Sequence, residues 1–266
     1  MDTPSDASPG ETADLRDAVV RDDSGDLATF LELLRVRQRA GGRVKLVDSG
    51  RLGIPDLERL AEAGMDIFTS DEVRTDAHGL VLIALASRKG GSPAAYFVHG
   101  AFRGIGEAAG IAFDSVLELA RTGMRVAVSN GRGARDAAAL DRLADACRKG
   151  GTRLISYHRG PADNSLVELC RAGVWLHLDA ASLVQGGDPA AGDCARAARA
   201  AGGGLVLHVS DTIDPGVFDD LYGSGAFFLF HTPPADYRDP RRALVARAES
   251  RPLPSSAFYL FSGFML

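Results

Sequence analysis

The sequence predicts an α/β fold, a (β/α)8 barrel of the TIM type built from four βαβα repeats. Three observations predict it: a Gly-Gly turn recurs four times, strand and helix patterns alternate, and residues 26–266 supply about 240 residues. A barrel of this kind typically has about 250 residues. An open doubly wound sheet is the alternative, but it gives no reason for eight strands arranged as four repeats.

The N-terminal residues 1–25 differ in composition from the rest of the chain. They hold seven acidic and two basic residues, so they carry the whole formal net charge of −5. They are also poor in large apolar residues and cannot bury enough surface to offset the entropy lost on ordering. We predict a disordered acidic tail over 1–25, followed by a single barrel domain over 26–266 that begins with a helix at 26–40.

The repeat is visible at the Gly-Gly turns. They occur in RQRAGGRVKLVDSG from Arg37, SRKGGSPAAYFVHG from Ser87, CRKGGTRLISYHRG from Cys147 and ARAAGGGLVLHVSD from Ala198. Each turn leads into a β-branched, aromatic or leucine-rich run, then a short amphipathic helix, a second strand and a longer helix. The predicted strands are 43–48, 65–70, 93–99, 124–129, 152–158, 174–179, 204–210 and 226–231. The predicted helices include 54–64, 80–89, 112–123, 134–149, 162–173 and 214–225.

The C-terminal segment 252–266 is rich in aromatic residues. Such an apolar segment is expected to be buried, either against the barrel or in a partner subunit, which would make the protein a homo-oligomer. We include the segment in the barrel domain.

Composition excludes several classes of partner. No apolar run reaches the length of a membrane helix, and the N-terminus has no basic and apolar leader, so we expect no membrane association. The three cysteines show no CxxC spacing, which favours a reducing, cytoplasmic location. Residues 26–266 are formally neutral and carry no basic stripe, so we expect no nucleic-acid partner.

Strand alternation places polar side chains at the C-terminal mouth of the predicted barrel. In strand 152–158 we expect Ser156 and His158 to face inward and Tyr157 to face the helices. Aligning the repeats gives eight polar inward residues at the strand ends: Asp48, Ser70, His99, Ser129, His158, Asp179, Ser210 and His231. The layer beneath them is predicted to hold Leu46, Phe68, Phe97, Ala127, Ser156, His177, His208 and Leu229.

A mouth lined by His and Asp predicts a small-molecule site, because barrel active sites lie at these strand ends. The catalytic candidates are Asp48, His158, Asp179 and His208. The predicted ligands for one divalent metal ion are Asp48, His158, His177 and Asp179. His99, Arg132, Arg159 and His231 are predicted to bind an anionic ligand.

The best-fitting activity is metal-assisted hydrolysis. The His-x-His that large metallohydrolase barrels carry after the first strand is, however, replaced by Val47-Asp48-Ser49-Gly50. Schiff-base chemistry is disfavoured because no lysine is predicted to point inward, and retaining glycosidase chemistry is disfavoured because no inward glutamate is predicted. The alternative function is a non-catalytic binding or scaffold barrel that acts through its apolar C-terminus or its acidic tail.

Overall fold

The computed structural model describes residues 17–100, 102, 110–131, 136–183, 189–232 and 238–254. The chain divides into two compact units, here called the N-terminal unit, which ends at Ala95, and the C-terminal unit, which begins at Tyr96. Each is described by itself, and the single barrel domain over 26–266 stays a prediction. No helix within the described ranges is long and apolar enough to cross a membrane.

Strands and helices alternate along both units. The described strands are β1 (Asp17–Arg21), β2 (Arg43–Val47), β3 (Asp66–Ser70), β4 (Ala94–Val98), β5 (Arg125–Ser129), β6 (Ile155–His158), β7 (Trp175–Asp179), β8 (Gly204–Val209) and β9 (Phe227–Phe230). The described helices are α1 (Leu27–Arg39), α2 (Ile54–Glu62), α3 (Ala77–Gly90), α4 (Phe113–Arg121), α5 (Ala137–Lys149), α6 (Asn164–Arg171), α7 (Pro189–Ala200), α8 (Pro215–Ser224) and α9 (Arg241–Glu249).

The sheet order confirms the predicted fold class. The described strands follow one another in chain order from β1 to β9, and the neighbouring pairs are parallel, as in β5–β6, β6–β7 and β7–β8. Parallel strands in chain order, each joined to the next through a helix, have the winding of a (β/α)8 barrel. All eight predicted strands are present, and β1 precedes them as an additional strand.

Part of the predicted disordered tail is ordered. Residues 17–21 form β1, which pairs in parallel with β2, and Asp22–Ser24 form a 3-10 turn. The buried Asp22 carboxylate accepts hydrogen bonds from the backbone N–H groups of Ser49 at 2.8 Å and Arg51 at 2.9 Å. Burial opposes ionisation of Asp22, but these hydrogen bonds and that of the Ser49 hydroxyl outweigh it, and its pKa is lowered. The prediction was wrong for residues 17–25, because averaging composition over 25 residues concealed a short apolar strand.

Aspartate side chains set where several helices begin. Asp26 accepts a hydrogen bond from the Thr29 N–H at the start of α1, and Asp163 and Asp214 cap α6 and α8 in the same way. A carboxylate at this position satisfies N–H groups that have no partner within the helix and interacts favourably with the helix dipole. The predicted N-terminal helix at 26–40 is therefore confirmed as α1, with Phe30 and Leu34 buried.

In two of the Gly-Gly turns, the first glycine is required by a close approach of two chain segments. A Cβ atom on Gly90 would overlap the carbonyl oxygen of Ala61, at the end of the neighbouring helix α2. Gly150, at the same place in another repeat, has the same relation to Ala120 near the end of α4. The helix pairs α2–α3 and α4–α5 therefore pack with their C-terminal ends in direct backbone contact.

Several predictions concern residues outside the described ranges. These are the tail over 1–16, Arg132, and residues 255–266 of the apolar C-terminal segment. Burial of that segment, the homo-oligomer and the acidic tail as an interaction element therefore stay predictions.

Candidate functional site

The candidate site is a cavity of about 610 Å3 in the C-terminal unit. It lies at the carboxyl ends of strands β4 to β9, where parallel α/β folds place their ligands. Its lining residues are Phe97, Ser129, Tyr157, His158, Arg159, Gly160, His177, Leu178, Asp179, Ser182, His208, Ser210 and His231. The structure thus brings together six of the predicted site residues: His158, Arg159, His177, Asp179, His208 and His231.

The cavity wall carries one cationic and one anionic side chain, Arg159 and Asp179. Both are exposed. One oxygen of Asp179 accepts a hydrogen bond from the Ala181 N–H at 3.0 Å, which fixes the carboxylate at the end of β7. The hydroxyl groups of Ser129, Ser182 and Ser210 also line the cavity, so its polar groups include both donors and acceptors.

Three histidines form a hydrogen-bonded row along one side of the cavity. Nδ1 of His177 lies 2.8 Å from Nε2 of His208, and Nδ1 of His208 lies 2.8 Å from Nε2 of His231. The rings of His208 and His231 are stacked, with centroids 5.0 Å apart. The row connects β7, β8 and the residue that follows β9.

The strand register explains why the row runs from the interior to the surface. In the parallel ladders, Val206 lies opposite His177, while His208 lies opposite Asp179 and Leu229. Each histidine is therefore about one side-chain layer nearer the carboxyl end than the histidine before it. The prediction that His177 and His208 share one layer was wrong, because the stagger between strands raises His208 to the level of Asp179.

Exposure increases along the row. His177 is 2% exposed and His208 is 8% exposed, whereas His231 lies at the surface. Burial, reinforced by the neighbouring His208, lowers the pKa of His177 well below its ordinary value. Burial and the charge of His231 lower the pKa of His208 to about 4, although Asp179 acts in the opposite direction. The two inner histidines are therefore neutral at pH 7.

Atom Nε2 of His177 is a buried polar atom without a hydrogen-bond partner within the described residues. Its ring packs against Tyr157, with centroids 4.5 Å apart, and forms part of the cavity wall. Buried polar atoms are nearly always paired in native proteins, so an unpaired one at a cavity needs an explanation.

A second polar arrangement fixes His158. The Asn130 amide nitrogen lies 3.0 Å from Nδ1 of His158 and donates to the Arg159 carbonyl oxygen at 3.1 Å, while the Arg159 N–H donates to the Asn130 oxygen at 2.7 Å. Since the amide nitrogen can only donate, Nδ1 of His158 is the acceptor and the proton of the neutral ring lies on Nε2. Burial lowers the pKa of His158, although the Asp163 carboxylate acts in the opposite direction.

The predicted orientation of strand β6 was wrong. The Tyr157 ring lies 5.5 Å from that of Phe97 and 4.5 Å from that of His177, so Tyr157 faces the interior. Ser156 instead lines a separate cavity of about 380 Å3 together with residues of α5 and α6, and His158 contributes to both cavities. An amphipathic tyrosine fits either face of a strand, so its apolar ring could not decide the alternation.

Asp48 lies in the N-terminal unit and forms a buried ion pair there. Its fully buried carboxylate forms a two-point ion pair with Arg74, with Nη2 of Arg74 2.9 Å from Oδ1, and it also accepts a hydrogen bond from the Gly50 N–H. The hydrogen-bonding capacity of a carboxylate held in this way is used within the protein. The assignment of Asp48 as a catalytic residue and metal ligand therefore has no support from its surroundings.

The predicted metal site is not supported by the described geometry. No group of three or more His, Cys, Asp or Glu side chains in the described parts of the chain is arranged to hold a metal ion. Of the four predicted ligands, Asp48 is paired with Arg74, and His158 carries its ring proton on Nε2 because Nδ1 accepts from Asn130. The predicted set of four ligands therefore does not form a metal centre.

The remaining predicted residues lie beside the cavity or outside the described ranges. His99 packs on Phe97, with ring centroids 4.1 Å apart, next to the lining residues. Arg132 is not in the described part of the chain. Sequence analysis missed Asn130 and Tyr157. A polar residue directly after strand β5 was the available signal for Asn130.

Comparisons with known proteins add no family. No protein-family model matches the chain, and no curated protein matches it. A truncated 3-deoxy-D-arabino-heptulosonate 7-phosphate synthase from Thermotoga maritima is 15% identical over 88% of this chain and 85% of that chain, with a TM-score of 0.35. A deoxyribose phosphate aldolase from Aeropyrum pernix is 15% identical over 89% of both chains, with a TM-score of 0.34.

Proposed function

We propose that the cavity of the C-terminal unit binds a small hydroxylated molecule that carries one oxyanion group. The observation that carries this proposal is the composition of the cavity wall, which combines one arginine with histidines, serines and one aspartate. Concave sites with a few convergent polar groups are the usual form of small-molecule sites in α/β proteins.

Arg159 is the group that selects an anion. A guanidinium binds a carboxylate or a phosphate through two parallel hydrogen bonds. His177 and His208 are neutral at pH 7, so they do not change the charge that Arg159 gives to the site. The backbone N–H and C=O groups of Arg159 are both bonded to Asn130, which fixes the point from which its side chain starts.

His158 supplies a directed donor for the same ligand. With Nδ1 accepting from Asn130, the neutral ring carries its proton on Nε2, and a ligand oxygen can accept this hydrogen bond in place of the Pro161 backbone. Asp179 provides an acceptor for a ligand hydroxyl. One of its oxygens accepts from the Ala181 N–H, which holds the carboxylate in place, and the other oxygen can accept from the ligand. An anion with hydroxyl groups therefore matches the wall, because Arg159 can bind the oxyanion group while Asp179 accepts from a hydroxyl group.

Metal-assisted hydrolysis, the version expected from the sequence, is disfavoured within this proposal. Asp48 is paired with Arg74, and His158 carries its ring proton on Nε2, so neither side chain is arranged as a metal ligand. The proposed binding therefore needs no metal, and it should be unchanged after dialysis against EDTA.

Calorimetric titration of the full chain with D-glycerate, glycerol 3-phosphate and neutral glycerol tests the proposal. We expect at least one anion to bind at millimolar concentration and glycerol to bind more weakly. Arg159→Gln should weaken anion binding by about 10- to 100-fold, since hydrogen bonds to charged groups contribute about 1.5–3 kcal/mol.

Arg171→Gln is the matched control, because Arg171 is an exposed arginine on α6 that pairs with Glu168. It should leave binding unchanged. Absence of binding for both anions, or equal weakening by the two substitutions, would contradict the proposal.

A further inference from the structure

The row of His177, His208 and His231 restricts where its protons can lie. A neutral imidazole has one N–H donor and one acceptor nitrogen, so two successive hydrogen bonds require all three rings to point the same way. Only two arrangements satisfy both 2.8 Å contacts. In one, each Nδ1–H donates outward along the row, and in the other, each Nε2–H donates inward.

The unpartnered atom of His177 decides between these arrangements. Inward donation would place a proton on the buried Nε2 of His177, which has no acceptor among the described residues. Outward donation leaves a lone pair there instead, and buried unpaired acceptors are less rare than buried unpaired N–H groups. Outward donation is therefore favoured, and it leaves an unprotonated, buried Nε2 on a ring that lines the cavity.

We propose that the row is a proton relay, and that the C-terminal unit catalyses proton transfer at a ligand carbon next to a carbonyl group. His177 is the catalytic base, and His208 and His231 connect it to solvent. This inference rests on the proposed binding of a small anion in the same cavity. The ligand supplies the partner that Nε2 of His177 lacks.

The proton and electron balance follows from the arrangement. The ligand C–H bond breaks, its electron pair forms the enolate, and the proton forms an N–H bond at Nε2 of His177. The Nδ1 proton of His177 moves to Nε2 of His208, the Nδ1 proton of His208 moves to Nε2 of His231, and the Nδ1 proton of His231 passes to water. The enolate oxygen accepts a hydrogen bond from the His158 Nε2–H, while Arg159 holds the oxyanion group of the ligand.

The relay solves an electrostatic problem at the cavity floor. An isolated base as buried as His177 would have to hold a positive charge away from water, which is unfavourable. Passing a proton along two short hydrogen bonds places that charge on the exposed His231 instead.

The relay also restricts the reaction class. One outward transfer leaves every ring protonated on Nε2, so the row cannot accept a second proton from the ligand until a proton returns. A proton returns when water protonates His231 and the transfers through His208 to His177 run in reverse. This return restores the starting state of the row and delivers a proton to a carbon atom of the ligand. The reaction is therefore an isomerisation, an epimerisation or a solvent exchange, in which the proton removed is replaced.

Nitrogen-15 NMR of histidine-labelled full chain at pH 8 tests the arrangement without any ligand. We expect His177 and His208 to be protonated on Nδ1 and unprotonated on Nε2. A proton on Nε2 of His177 would overturn the proposal, because that nitrogen could not act as the base.

Deuterium incorporation into dihydroxyacetone phosphate in D2O, followed by proton NMR, tests the chemistry. This probe combines an oxyanion, a hydroxyl group and C–H bonds next to a carbonyl. His177→Gln and His231→Gln should each lower the incorporation rate by about 100-fold or more, the usual contribution of a positioned acid or base. His78→Gln, at an exposed histidine on α3, should not change the rate.

Calorimetric binding of the same probe separates the two proposals. Binding without enzyme-dependent incorporation, or incorporation unaffected by His177→Gln, would overturn the relay and leave the binding site in place. Incorporation lost in His177→Gln with binding retained would support both. Absence of probe binding, together with the contradicting glycerate and glycerol 3-phosphate result, would overturn the proposed function as well.

Discussion

Acidification is expected to destabilise the C-terminal unit through its buried histidines. Burial in the folded protein lowers the pKa of His208 from 6.5 to about 4. Between these two values the unfolded chain binds a proton that the folded chain does not bind. The free energy of unfolding should therefore fall as the pH falls from about 6.5 towards 4 and should not depend on this group at higher pH.

The magnitude follows from the difference between the two pKa values. One pKa unit corresponds to about 1.4 kcal/mol, so His208 accounts for a loss of about 2 kcal/mol at pH 5 relative to pH 8. His177 and His158 act in the same direction, since their pKa values are also lowered. A loss of 2 kcal/mol is a large fraction of the total stability of a typical domain.

Urea unfolding at pH 8 and pH 5, followed by tryptophan fluorescence, measures this loss of stability in the C-terminal unit. The single tryptophan, Trp175, is buried in β7 next to the histidine row. His208→Gln should lower stability at pH 8, because two hydrogen bonds are lost, but should reduce the difference between pH 8 and pH 5 by about 2 kcal/mol. His78→Gln should keep the wild-type difference.

Equal pH differences in wild type and His208→Gln would refute the reasoning, because His208 would then not be held neutral by burial. The carboxylates with shifted pKa values do not interfere, since those of Asp22, Asp26, Asp145 and Asp163 are all lowered and titrate below this window.

Three further predictions concern stability and reactivity. Arg74→Met should destabilise the N-terminal unit by about 3–5 kcal/mol in urea unfolding, because it leaves the buried Asp48 carboxylate unpaired, and adding Asp48→Asn should recover part of the loss. Gly90→Ala should lower the thermal midpoint more than Gly91→Ala, because a Cβ atom at Gly90 forces two helix ends apart. Gly91 has a φ of +66° and open space around it, so its substitution costs only about 1 kcal/mol. Equal shifts of the midpoint would contradict the close approach at Gly90. The three cysteines are buried, and burial raises the pKa of Cys147 to about 12, so Ellman's reagent should react only after denaturation; rapid reaction of the native protein would contradict this burial.

The strands and helices could be predicted from the sequence because the repeat reports the same local pattern four times. A Gly-Gly turn marks a helix end and a strand start wherever it occurs, so ambiguous segments could be assigned from their counterparts. Residues 80–89 could pass for a strand alone, yet they lie in helix α3, as the repeat predicts. Strand β1 has no such counterpart and lies in an acidic segment, so it was missed.

The site could be predicted only as a cluster, because its geometry depends on contacts between elements. Asp48 and Arg74 are 26 residues apart, and nothing in either local pattern indicates that they pair. The orientation of His158 depends on Asn130, which is 28 residues away and directly follows the neighbouring strand β5. Alternation within one strand cannot give the stagger between strands, which decides whether His177 and His208 share a layer or lie at successive levels of a row.

A purely structural interpretation of the histidine row accounts poorly for its inner end. Each net hydrogen bond contributes about 1 kcal/mol, whereas a buried polar atom without a partner costs about 1–3 kcal/mol. An apolar side chain at position 177 would avoid this cost and pack equally well against Tyr157. Natural sequences tend to break a local stability rule where function requires it. The cost at Nε2 of His177 is offset if a ligand occupies the cavity and bonds to that atom, so the inner end of the row marks the place where chemistry is expected.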